Sequence, residues 1–207
     1  MGIFRGIVYN RSMHEPSTIP LVSDLTGPAP MRFLALSGSL RSGSVNTALL
    51  HAAALIAPAG IRVMFYDGIG HLPHFDPDYD DNLPASVVNL RASMCEADAL
   101  LIASPEYAHG VPGAFKNALD WMVSCAELGA KPVGLLNASG RAVHAQAALA
   151  EIITTMNLAI IPAASLTIAV PGKQFDASMI ASHPVMSVQL KQALSALAGA
   201  VTGHASR

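Results

Sequence analysis

Residues 32–50 read RFLALSGSLRSGSVNTALL: an apolar run, a polar loop, and a second apolar run with a different period. Arg32 to Ser37 is short and almost continuously apolar, as in a strand covered on both faces. From Ser44 onward, Val45, Ala48, Leu49, Ala52, Leu55 and Ile56 recur at spacings of three and four, which makes one face of a helix. Ser44 stands where an N-cap is wanted. Pro58 ends the helix, because the residue before a proline avoids the α region. A strand that feeds straight into a helix is half of a βαβ unit.

The rest of the chain repeats this unit. Strands are predicted at Ile61 to Asp67, Asp98 to Ser104, Lys131 to Ser139 and Leu158 to Val170, the last interrupted by Pro162. A helix from Pro84 has Val87, Leu90, Met94 and Ala97 on its buried face. Another opens at Pro112 with Phe115, Ala118, Leu119 and Met122. Two more follow over about Val143 to Met156 and Pro184 to Val201. A long Gly-, Pro- and Asp-rich loop, GIGHLPHFDPDYDDNL, separates the second strand from its helix. Five strands alternating with helices predict an α/β fold, a flavodoxin-like three-layer α/β/α sandwich with a parallel sheet in the order 2-1-3-4-5. Residues 31–207 are predicted to form this domain. Residues 1–30, rich in Pro and turn formers and ending in GPAP, read as a poorly ordered extension outside it.

Composition excludes several function classes. The 207 residues are 52% hydrophobic and 13% charged, with mean hydropathy +0.42 and formal net charge -2. That allows a large core and offers no basic patch for nucleic acid. No stretch is long enough to span a membrane, and the N-terminus lacks the apolar segment of a signal peptide. Cys95 and Cys125 read as two buried thiols in apolar surroundings. No C-x-x-C pair and no His/Cys cluster at metal-ligand spacing occurs, so no metal is expected, and the chain reads as cytoplasmic.

Ligands of doubly wound sheets bind beyond the carboxyl ends of the strands, at the switch point. The loops that matter are therefore SGSLRSGSVN, SPEYAHGVPG and NASGR. The first lies at a helix N-terminus, where exposed N–H groups and the helix dipole favour an anion. Gly38 and Gly43 permit tight turning. Ser39, Ser44 and Thr47 add hydroxyls, Asn46 an amide, and Arg41 a permanent cation with a planar fork. The pattern suits a phosphate, although an ordinary turn with an N-cap at Ser44 explains part of it. It is neither a Walker A loop, since Ser44 replaces the lysine, nor a G-x-G-x-x-G fingerprint. A loop with no such lysine and no metal-binding carboxylate suits a phosphomonoester that is held and not transferred. The second loop is stiffened by Pro105 and Pro112. It presents Glu106, Tyr107 and His109 to the switch point, where Glu106 could equally cap backbone donors. Trp121 reads as core or interface.

GSLRSGSVN (38–46), PEYAHGVPGAFKNALDW (105–121) and KPVGLLNAS (131–139) together resemble the NADPH-dependent FMN reductase family, whose members include quinone, azo-dye and chromate reductases. The resemblance runs from Arg32 to the C-terminal helix. It implies bound FMN, with Ser39, Arg41, Ser44, Val45, Asn46 and Thr47 around the phosphate. It implies that Pro105, Glu106, Tyr107 and Ala108 line the isoalloxazine, with Gly110 close by, and that Ser139 is a third-loop contact. NADPH or NADH would be the electron donor and a small molecule the acceptor, in a homodimer or homotetramer. No catalytic side chain is implied, because the flavin carries the chemistry. Arg141 and His109 depart from the family pattern or vary within it. Two alternatives remain at this level. An electron-carrier flavoprotein would be strongly acidic, unlike this chain. A non-catalytic module for another phosphorylated ligand would leave the PEY loop unexplained.

Overall fold

The structure, a computed structural model, describes residues 29–204. The expected extension over residues 1–30 falls almost entirely outside them.

The first strand, β1 (Met31–Ser37), pairs in parallel with β2 (Ile61–Phe65) on one side and β3 (Ala99–Ala103) on the other. β4 (Pro132–Leu136) pairs with β3, and β5 (Ala159–Ile160) with β4. The order is β2-β1-β3-β4-β5, as predicted. Because side chains alternate across a strand, β1 and β3 each feed two cores. Phe33, Ala35, Ala99, Leu101 and Ala103 face a layer built from α1 (Val45–Leu55), α5 (Ala177–Ser182) and α6 (Pro184–His204). Leu34, Leu36, Leu100 and Ile102 face the opposite layer of α2 (Ala85–Glu96), α3 (Gly113–Asp120) and α4 (Val143–Thr155). Both sides of each central strand are buried, which is why the strands read as continuous apolar runs.

The expected fifth strand, Leu158 to Val170, is much shorter. Proline has no N–H to give a ladder. After Ile160 the chain turns through a 3-10 segment, Pro162–Ala164, that tucks against Gly134 of β4. Parallel pairing then resumes beside Asn137: its N–H donates to the Leu166 carbonyl at 2.9 Å, and its carbonyl accepts from Ile168 at 2.8 Å. Helix α5 was not expected from its periodicity, being only six residues long. It is started by Asp176, whose carboxylate accepts from the Met179 N–H at 2.8 Å.

The long loop after β2 is pinned by the second motif. Trp121 is fully buried. Its indole N–H donates to the Pro73 carbonyl at 2.9 Å, and Phe75 meets its ring edge-on. Asn117 accepts from the Phe75 N–H at 2.7 Å and donates to the Pro73 carbonyl. Cys125 is buried and Cys95 half-buried, with sulfur atoms 3.7 Å apart and unbridged. Cys125 lies just before a 3-10 turn, not within a helix. Burial first, then the hydrogen bonds with Cys95 and Glu127, push its thiol up to about 12.

At the top of the sheet, Gly38 N–H donates to the Ala103 carbonyl at 2.9 Å, and a Cβ on Gly38 would collide with the Ser104 side chain and press on its Cα. Gly38→Ala is therefore expected to lower unfolding free energy by about 1–3 kcal/mol in urea titration. Adding Ser104→Gly should recover part of the loss; no loss in the single variant would refute the close approach.

Candidate functional site

The first loop is organised by its own hydroxyls. Ser37 Oγ accepts from the Ser39 N–H at 3.2 Å and lies 2.7 Å from Thr47 Oγ1. Ser39 Oγ accepts from the Arg41 N–H at 3.3 Å. The Arg41 carbonyl accepts from the Ser44 N–H at 3.2 Å. Ser44 caps α1, its Oγ accepting from the Thr47 N–H at 3.4 Å. These bonds fix the start of α1 and leave the exposed Arg41 guanidinium above it.

Asn46 is 5% exposed, and its Oδ1 accepts from the Ala138 N–H at 3.2 Å, tying α1 to the exit of β4. That is a structural task that the sequence pattern did not reveal, because Ala138 lies 92 residues away. Ser139 continues the same exit. Its N–H donates to Asn137 Oδ1, and its Oγ accepts from the Arg141 N–H.

The second loop closes on itself. Tyr107 and Gly110 exchange backbone hydrogen bonds of 3.1 and 3.0 Å around Ala108 and His109, whose φ angles are +49° and +58°. This turn leaves Tyr107 exposed at the rim. Glu106 points the other way. Its Oε2 accepts from the Ala145 N–H at 2.9 Å, capping α4, whose own N-cap residue Ala142 offers no side chain for the purpose. That backbone bond, more than the neighbouring His144 and His109, holds the Glu106 carboxyl below the usual carboxylate range.

Three neighbouring clefts follow the carboxyl edge of the sheet. One of about 130 Å³ is lined by Ser39, Arg41, Ser44, Val45, Asn46, Pro105 and Tyr107, so it unites the first two loops. The next, about 330 Å³, shares Val45, Asn46 and Pro105 with it and adds Glu106, Ser139 and Arg141 from the second and third loops. The third, about 460 Å³, shares Ser39 and Arg41 and runs towards Thr47, Asp67 and His71. Of these three clefts Thr47 lines only the third, and Ala108 and Gly110 line none. The smallest cleft contains a residue that the sequence reading missed, Lys173 from the turn before α5. Its signal is a lone cation beside Gly172, weak until the fold brings it into the same cleft as Arg41.

The profile of the family described as NADPH-dependent FMN reductase matches residues 31–173. The chain belongs to this family. It is 46% identical over 100 residues to a probable NADPH:quinone oxidoreductase 2 of Oryza sativa, covering 46% of this chain and 49% of that one. It is 34% identical over 177 residues to an NADPH:quinone oxidoreductase of Arabidopsis thaliana, covering 81% and 90%. The match to the rice protein spans about half its length, as does that to a 2-hydroxy-1,4-benzoquinone reductase of Burkholderia. Among solved structures it is similar to a flavoenzyme NAD(P)H:(acceptor) oxidoreductase from Paracoccus denitrificans. There the TM-score is 0.66 and the identity 25%, over 84% of this chain and 98% of that one.

In this member of the family, Asn46 should behave as a structural residue. Asn46→Ala leaves the buried Ala138 N–H without a partner and is expected to cost about 1–3 kcal/mol of stability by urea denaturation. Asn46→Asp, which keeps an acceptor oxygen, should lose less.

Proposed function

We propose that this chain is an FMN-dependent NAD(P)H oxidoreductase that passes reducing equivalents from a nicotinamide cofactor to a small acceptor, a quinone first among candidates. The observation that carries the reading is the meeting of Arg41, Lys173 and the Ser44-capped start of α1 in one small cleft, against the Pro105–Tyr107 loop. Two cations, a hydroxyl-rich loop and a helix N-terminus form a donor set matched to a phosphomonoester dianion. The adjoining wider cleft provides a wall of Pro105, Glu106 and Ser139 for the ring end of such a ligand. Quinone reductases among the relatives favour a quinone as acceptor.

Bound FMN would supply the redox chemistry, taking up a hydride and giving it on. The residues of the chain do the positioning. Arg41 and Lys173 would hold the phosphate, while Ser39 and Ser44 keep the loop in a fixed conformation. The stiff Pro105–Tyr107 segment would line the ring, and exposed Tyr107 would stand beside the place where nicotinamide and acceptor alternate. Alternation on one face predicts ping-pong kinetics. Exposed Leu40, Tyr107 and Val143 around the rim suit a second copy of the chain, so we read it as a homodimer or homotetramer. Two free thiols suit a reducing compartment, the cytoplasm. Among the described residues no helix is long and apolar enough to cross a membrane.

The absorption spectrum of the purified protein, before and after anaerobic NADPH, tests this reading. Flavin bands that bleach are expected; absence of flavin after incubation with FMN would overturn it. Arg41→Ala and Lys173→Ala should each weaken FMN retention about 10-fold or more, measured by fluorescence titration, with melting temperature unchanged. Equal affinity in both variants would move the phosphate elsewhere.

A further inference from the structure

We propose that Glu106, His109 and His144 form a binding site for a divalent first-row transition metal ion of the zinc, copper, nickel or cobalt class. Each residue offers one ligand atom, and the three atoms lie within 4.8 Å of one another. His109 Nδ1 is 3.2 Å from Glu106 Oε1. The His109 and His144 rings meet edge to face, 4.6 Å between centroids and 88° between planes. A tetrahedral ion with bonds of about 2.0–2.1 Å sets its ligand atoms about 3.4 Å apart. The Glu106–His109 pair already has nearly that separation, and exposed His144 needs to close a gap of no more than about 1.5 Å, within reach of a small side-chain rotation. Two imidazoles and one carboxylate suit borderline ions, whereas calcium and magnesium prefer oxygen alone.

The backbone supports the same assignment. The turn at Ala108 and His109 holds two consecutive residues at positive φ, where Asn-Gly is the ordinary choice. Such strain persists only where the surroundings enforce it, and it gathers at functional positions. The same turn carries the His109 imidazole, whose Nδ1 comes to 3.2 Å from Glu106 Oε1. The carboxylate is divided between two tasks: Oε2 is anchored by the Ala145 N–H, and Oε1 is presented to His109. An anchored ligand oxygen of this kind is how outer-shell groups orient a metal site. His144 is the residue before Ala145, so one helix start both anchors the carboxylate and supplies the third ligand. A His109–Glu106 ion pair alone would leave the position of His144 unexplained. No local spacing announces the cluster, since His144 lies 35 positions beyond His109.

Three protein ligands leave a coordination position open. Glu106 also lines the wider cleft, so an ion held here would stand at the wall of the proposed cofactor site. The inference goes beyond the proposed redox activity and does not need it.

Cobalt titration of the full chain, followed in the visible, and zinc titration by calorimetry test the site. One equivalent per chain is expected, with cobalt bands that zinc displaces and a melting temperature that zinc raises. His109→Ala and His144→Ala remove exposed side chains and should keep the metal-free melting temperature. Each should weaken zinc binding by about 10-fold or more. No cobalt bands and no calorimetric signal in the wild type would overturn the proposal, and so would unchanged affinity in both variants. FMN content, read from the flavin absorption of the same samples, keeps failure of this site distinct from failure of the flavin reading.

Discussion

Where β1 and β3 end side by side, the backbone of Gly38 lies so close to Ser104 that no side chain fits between them. From that contact the two strands send their helices to opposite faces of the sheet: α1 packs on one layer and α3 on the other. The chain must part there, and parting leaves a crevice at the carboxyl edge. The hydroxyl-rich loop, the PEY loop and the exit of β4 all open into that crevice, so their chemistry converges without any of them being close in sequence.

Convergence needs fixed geometry, and much of the polar chemistry supplies it. Ser37, Ser39 and Ser44 use their hydroxyls to hold the first loop. Asn46 ties α1 to Ala138, and Glu106 ties the second loop to the start of α4. Asn117 and Trp121 pin the loop at Pro73 to Phe75. Among the residues lining the clefts are three cations, Arg41 and Lys173 in the smallest and Arg141 in the wider one, where Glu106 is also present. The hydrogen bonds thus fix the backbone of the loops that carry these exposed side chains.

The two cysteines, Cys125 buried and Cys95 half-buried, play no visible part in this edge. Cys125 is held strongly protonated by its burial, and the thiol is a poor nucleophile compared with the thiolate. Lys131, whose ammonium donates to the Cys95 and Ala97 carbonyls, has its pKa lowered by the same burial. These contacts join the end of α2 to the beginning of β4, at the amino edge of the sheet, opposite the cleft.

The sequence by itself determined the layered architecture and the strand order, because a strand buried on both faces must be apolar at every position and a helix packed on a sheet must be apolar every three or four. It also singled out the carboxyl edge of the sheet and the first loop, since Gly and Ser between a strand and a helix start mark a tight turn and an N-cap. It did not show where β5 breaks, because the turn at Pro162 depends on Gly134 of the neighbouring strand making room for it. Nor did it show that Asn46 and Glu106 bond to Ala138 and Ala145, that Lys173 shares a cleft with Arg41, or that His144 meets His109. Those are contacts between residues far apart along the chain. Periodicity and local spacing carry no record of them, and only the packing of helices on both faces of one twisted sheet brings them together.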